Sequence, residues 1–333
     1  MKSGTDMKES EGIGKLPCLS LAPMEGVTGW KYRRLLNSEF GHADRFYTPF
    51  ITPAERIGRS SRFGREIDPA HNEGMTVIPQ ILTNDAEGFI ETAKLLKELG
   101  YREVNLNLGC PSGTVVRKGR GSGFLEYPWE LDRFLEKIIS GSPLPVSVKT
   151  RIGVRSPEEF GELVGIFARY PFTELIIHPR VREEMYTGYP HSEAFSEACE
   201  RISVPLVYNG NVNSPRDAYA VLSRFPSVAG IMLGRGAIAR PDLFRELKTG
   251  KQASPAEMLL FHDKLYDLYR EELGEKDVLF KFKELWSFMR FAYPDPEEVW
   301  NRIRRSKTNA EYRTAARDIL GTERTAYAEG PGF

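Results

Sequence analysis

Cys110 sits in the run Asn-Leu-Gly-Cys-Pro-Ser at 107–112, among turn-forming residues. A thiol with a pKa near ~8.5 is mostly protonated at neutral pH, so a cysteine on such a loop can donate a proton in general-acid catalysis. The alternative is a thiolate nucleophile with a spatial partner such as His178, since no histidine adjoins it in sequence. Lys149 stands in the β-rich run PVSVKT (145–150), where lysine is rarely buried unpaired. It either bridges to an acid across the interior or places a cation where negative charge must be stabilised. Gln80 can donate and accept at once, which suits the edge of a heterocycle and equally suits neighbouring backbone. The runs Tyr-Asn-Gly-Asn (208–211) and Leu-Gly-Arg-Gly (233–236) carry glycines that let backbone N–H groups approach a phosphate. Their other reading is that Gly210, Gly234 and Gly236 only turn the chain.

These residues need a frame that brings them together. Short β-rich runs recur at 18–22, 45–51, 76–81, 103–108, 145–150, 174–178, 204–208 and 229–233, with amphipathic stretches such as 85–99 between them. Alternating short strands and helices predict βαβ units and a parallel sheet. Eight such units predict a closed (βα)8 TIM barrel, and no Gly-rich dinucleotide turn follows the first strand. In that fold the chemistry gathers where strands end. Those ends here carry Pro23 and Met24, Gln80, Asn107 to Cys110, Lys149 and Arg151, His178 and Arg180, Asn209 to Asn211, and Gly234 with Arg235. The loops after strands 7 and 8 of such barrels often build a phosphate site.

The chain has 333 residues, which allows a barrel of about 250 residues and a smaller second domain. The strands stop near 250, so the expected division is a catalytic barrel over 1–250 and a helical domain over 251–333. Lys+Arg and Asp+Glu balance at 46 each, so any nucleic-acid partner must be recognised by local charge. Arg56, Arg59, Arg62 and Arg65 follow strand 2, and Arg117, Lys118 and Arg120 follow the cysteine. Arg155 and Arg182 extend the set, and Arg302, Arg304, Arg305 and Lys307 lie in the tail. Three cysteines without metal-ligand spacing argue against a disulfide framework and a metal site. With no apolar run of membrane-spanning length and no leader, a cytoplasmic monomer is expected.

A lysine facing the edge of a flavin would stabilise the charge of the reduced ring. The motifs resemble those of tRNA-dihydrouridine synthases from about 19 to 247: LAPMEGVT (21–28), PQIL (79–82), NLNLGCPS (105–112), VVRKGRGSGFL (115–125), VKTRIG (148–153), IHPR (177–180), NGN (209–211) and LGRG (233–236). The resemblance implies FMN held by Pro23, Met24, Gln80, Lys149, His178, Asn209, Gly210, Gly234 and Arg235, and Asn211 beside them is expected to join the cofactor site. It implies Asn107 on the substrate, Cys110 as proton donor to uracil C5, NADPH as reductant and tRNA as partner; Arg151 and Arg180, basic residues at the ends of strands 5 and 6, are expected on the substrate as well. Gly29, Pro179 and Asn211 depart from the family pattern, where an Asp, a Gly and an acidic residue are usual. Two other functions fit the residues. One is an FMN barrel acting on a small pyrimidine, as dihydroorotate dehydrogenase does; the other is a barrel that binds RNA without turnover.

Overall fold

The protein is described by a computed structural model over residues 16–53, 58 and 61–325. Arg56 and Arg59 lie outside the described residues. The strands are β1 (Cys18–Leu21), β2 (Arg45–Tyr47), β3 (Val77–Ile78), β4 (Gln80–Ile81) and β5 (Val104–Leu108). They continue with β6 (Val146–Gly153), β7 (Leu175–Val181), β8 (Leu206–Tyr208) and β9 (Gly230–Leu233). All pairings are parallel, in the order β3-β2-β1-β9-β8-β7-β6-β5-β4. Pro79 separates β3 from β4 within one strand, and a bridge between Ile51 and Ile81 joins the two ends of that order. The eight expected strands therefore form an α/β barrel. The strand expected over 45–51 shortens to β2 plus that bridge, whereas β6 and β7 run on to Gly153 and Val181.

Helices alternate with the strands and cover the barrel: α1 (Trp30–Glu39), α2 (Arg62–Glu66), α3 (Ala86–Glu98), α4 (Gly113–Val116), α5 (Pro128–Gly141) and α6 (Phe160–Phe167). The series continues with α7 (Ser192–Arg201), α8 (Pro215–Arg224), α9 (Arg235–Ala239) and α10 (Leu243–Thr249). Side-chain direction alternates along each strand, so Val104, Leu106 and Leu108 of β5 join the core under the helices. Asn105 and Asn107 between them point into the barrel, where Asn105 donates to Ser147 Oγ at 3.0 Å. Tyr47, Ile78, Ile176, Val207 and Met232 pack as a separate cluster inside the barrel.

After α10 the chain becomes helical: α11 (Pro255–Met289), α12 (Pro296–Arg305) and α13 (Asn309–Leu320). Gly274, at φ 78° and ψ 176°, breaks α11 into two rods, a conformation that side-chain-bearing residues rarely adopt. Tyr312 closes the helical core by taking a bond from Trp286 Nε1 at 3.0 Å and meeting His262 Nε2 at 2.6 Å. Lys31 of α1 donates to Leu268 O at 2.6 Å and pairs with Glu272 at 2.8 Å. Arg324 grips the buried Asp242 through both carboxylate oxygens at 2.6 and 2.8 Å. The hydrophobic core runs across the 250–255 stretch, which marks a change of architecture within one packed body.

Candidate active site

One cavity of about 640 Å³ opens at the C-terminal ends of the strands. Its size lies within the range of small-ligand sites. At its floor, Gln80 donates through Nε2 to Asn105 Oδ1 at 2.7 Å and accepts from Asn107 Nδ2 at 2.7 Å. Asn107 Oδ1 in turn accepts the backbone N–H groups of Gly109 and Cys110 at 3.0 and 2.9 Å. These bonds fix both amide orientations and fold the cysteine loop back over the strand end. The Cys110 carbonyl accepts from Ser122 N and Oγ, at 3.1 and 2.9 Å. Gly121 makes that approach possible, because a Cβ there would lie 2.8 Å from the Cys110 carbonyl oxygen.

Burial pushes the Cys110 thiol above its usual pKa, against a backbone bond at Ser112 and the charges of Arg151 and Lys149. The thiol is therefore protonated at neutral pH. The thiolate reading would need an imidazole base, and His178 is not placed to serve. His178 Nε2 lies 3.0 Å from Arg180 Nη1. A guanidinium can only donate, so Nε2 accepts and the ring proton is on Nδ1. Burial first, then Arg151 and Lys149, lower the His178 pKa well below its usual value and keep the ring neutral.

Lys149 is enclosed by protein although part of its surface faces the cavity. Burial, followed by repulsion from Arg151, pushes its pKa down to about 7. It forms no ion pair among the described residues, so the expected alternative of a bridge across the barrel does not occur there. Burial also lowers Arg180, to about 10, with help from Arg235 and Arg151. Arg151 is committed to backbone, donating to Gly109 O at 3.0 Å, Val181 O at 2.9 Å and Met185 O at 2.7 Å. This concentration of partly desolvated cations gives the cavity an affinity for anions.

The phosphate-type loops face each other across the cavity wall. Gly236 packs so tightly that an added Cβ would fall 2.3 Å from Val212 O, so glycine is required for the two loops to meet. Asn209 Nδ2 donates to Met232 O at 2.8 Å and ties the end of β8 to β9. Asn211, at φ 44°, accepts from Arg180 Nη2 and Arg235 Nη2, each at 3.1 Å. An amide oxygen takes both bonds without cancelling either positive charge, which gives the departure at 211 a physical effect. The departure at Gly29 also has one: an added Cβ would meet the Glu66 carboxylate at 3.0 Å, so an acid at 29 would face another acid. Pro179 lies against Gly210, with its Cδ 3.5 Å from where a Cβ would be.

Of the sequence-selected residues, Pro23, Met24, Gln80, Asn107, Cys110, Lys149, Arg151, His178, Asn209, Gly210, Asn211, Gly234 and Arg235 all line this cavity. Arg180 does not. It is fully buried behind the wall, donating to Thr187 O at 3.0 Å and Gly188 O at 2.6 Å as well as to His178 and Asn211. Its place fits positioning of other groups more than contact with substrate.

The sequence marked neither Tyr186 nor the tail's part in the cavity wall. Tyr186 lies at the mouth, 45% exposed, stacked on His178 at 6.1 Å, with Arg151 and Arg235 5.3 and 5.2 Å from its ring. Glu284 and Phe288 of α11 also line the cavity, so the helical tail forms part of its wall. Lys281 of the same helix donates to the Gly26 carbonyl and holds the loop after β1. The basic clusters sort by pairing. Arg62 pairs with Glu25, Arg65 with Glu272, and Arg155 and Arg182 both with Glu126. Arg117, Lys118 and Arg120 form no ion pair among the described residues.

A parallel α/β barrel with a cavity at its C-terminal face that holds amides, cations and a protonated thiol has the architecture of a barrel enzyme. The family model of dihydrouridine synthase (Dus) matches residues 20–316, and the chain belongs to that family. It is 30% identical over 268 residues to tRNA-dihydrouridine synthase B of Shewanella oneidensis, covering 77% of this chain and 82% of that one. It is 28% identical over 310 residues to tRNA-dihydrouridine(16) synthase of Yersinia pestis, covering 90% and 98%. Among solved structures, morphinone reductase superposes with a TM-score of 0.50 at 16% identity, covering 71% of this chain and 87% of that one, a likeness of fold alone. No helix among the described residues is long and apolar enough to cross a membrane.

Proposed function

We propose that this chain reduces the C5–C6 double bond of uridine in tRNA to dihydrouridine, using NADPH and bound FMN. The observation that carries the reading is the placing of a protonated Cys110 and an unpaired, desolvated Lys149 in one cavity. A proton donor and a charge stabiliser are what a reductive saturation asks of the protein. The residues present fit FMN: the loops at Gly210–Asn211 and Gly234–Gly236, with Arg235, suit its phosphate. Gln80, Lys149 and His178 Nδ1 offer a mixed donor edge for its ring, and Pro23, Met24 and Met232 offer apolar surface.

Bound there, FMN supplies the two-electron chemistry between nicotinamide and substrate. The chain's own part begins with Asn107, which lines the cavity and has a second Nδ2 hydrogen to offer a pyrimidine carbonyl. Lys149 holds positive charge in a place shielded from water, where such charge acts strongly. Cys110 gives its proton to C5. Tyr186 covers the mouth, and a uridine must leave its stack to pass it. Arg180 holds His178 in one tautomer and anchors the 187–188 turn behind Tyr186.

Mapping dihydrouridine in total tRNA from cells lacking the gene tests the assignment in its biological setting. At least one tRNA position is expected to lose the modification and to regain it with the wild-type gene but not with Cys110→Ala. An unchanged dihydrouridine map would count against tRNA as the substrate.

A further inference from the structure

A second cavity, of about 520 Å³, lies on the barrel rim between the segments that follow β4 and β5. Asn84, Gly119, Tyr127, Trp129 and Arg133 are among the residues that line it. Trp129 is 65% exposed and Tyr127 48%, so two large aromatic side chains stand open to solvent close together in the chain at the start of α5. The Arg133 guanidinium sits 4.7 Å from the centre of the Trp129 ring. The indole is thereby backed on one side while much of it stays open.

The rim also carries cations of its own. Arg117, Lys118, Arg120 and Arg133 form no ion pair among the described residues. Arg120 Nε donates to Asn84 Oδ1 at 3.3 Å, and Asn84 Nδ2 donates to Lys118 O at 3.1 Å, so the basic loop is fixed to the wall of this cavity. Acids border it too: Glu87 is engaged with Lys137 at 3.5 Å, and Asp85 and Glu130 line the cavity with Arg133. The basic loop follows Cys110 in the chain after α4, so the segment that carries the thiol also carries Arg117, Lys118 and Arg120.

Resting on the tRNA reading above, we propose that Trp129 and Tyr127 form a stacking site for an unpaired nucleotide of the same RNA whose uridine enters the main cavity, with Arg117, Lys118 and Arg120 on its phosphates. Exposed aromatics beside a basic track are the chemistry by which single-stranded nucleotides are held without base-specific bonds. An open indole backed by a guanidinium suits any base.

The test uses the full-length holoenzyme with unmodified tRNA. Trp129→Ala is expected to weaken tRNA binding about tenfold, in the range typical of one lost stacking contact, and to raise KM for tRNA with little change in kcat. Trp129→Phe should recover most of the affinity, since a ring is restored without the indole N–H. Wild-type tRNA affinity in both Trp129→Ala and a folded Trp129→Ala/Tyr127→Ala double variant would overturn the proposal. So would a rise in KM for NADPH in place of tRNA, which would assign the aromatic rim to the dinucleotide. A wild-type enzyme that neither binds nor modifies tRNA would instead overturn the functional reading on which the site rests.

Discussion

Cys110→Ala is expected to slow the reaction with tRNA by about 10²–10⁴-fold, the usual worth of a positioned proton donor. The variant should still bind FMN and accept electrons from NADPH, because no residue that fits FMN depends on the thiol for its place. The Cys110 loop is held by its backbone, through Asn107 Oδ1 and Ser122, so the substitution leaves the loop anchored. Cys110→Ser should recover little, since a hydroxyl is a much weaker acid than a thiol. With its pKa raised by burial, the wild-type thiol should keep its proton, and the rate its value, to a higher pH than an exposed thiol would. The measurement is single-turnover oxidation of the NADPH-reduced holoenzyme by unmodified tRNA, normalised to bound FMN. A wild-type rate in Cys110→Ala would exclude the acid role.

Lys149→Met should move stability and activity in opposite directions. In the folded protein without flavin the pKa of Lys149 is about 7, against 10.5 for the unperturbed group. The unfolded chain therefore binds more protons between those values, and this site makes the apoprotein more stable as pH rises through them. Methionine keeps the volume and removes the charge. The variant apoprotein should melt higher than wild type at pH 7, and the difference should shrink as pH approaches 10.5. Turnover should fall on the order of 10²-fold, as when a single electrostatic stabiliser is removed from a water-poor site. Thermal melts of flavin-free protein across that pH range, paired with steady-state rates, check both halves. A variant that melts lower at pH 7 would show that Lys149 supports the fold and is not a strained functional charge.

Much of this was legible in the sequence because barrel geometry turns a linear pattern into a place. The β5 run Val-Asn-Leu-Asn-Leu alternates, and so does Val-Ser-Val-Lys in β6, which sends Asn107 and Lys149 inward on neighbouring strands in register. Glycines at the ends of β8 and β9 marked loops that must approach each other, and Gly236 does so against Val212. Tyr186 was not legible. It lies in the 182–191 segment, which has no strand or helix period and whose course is set by carbonyls that Arg151 and Arg180 happen to bind. The anchoring bonds of Arg180 were not legible for the same reason, since they depend on where that segment lies. Glu284 and Phe288 reach the cavity only because α11 folds back over the loop after β1 through Lys281, a contact between distant parts of the chain that no local pattern encodes.

The central claim is most directly tested by incubating the purified yellow protein with NADPH and unmodified tRNA and measuring dihydrouridine in the digested RNA. The account predicts dihydrouridine formed in proportion to NADPH consumed, with FMN released when the protein is denatured. NADPH-dependent reduction of a small free pyrimidine, with none in tRNA, would contradict it.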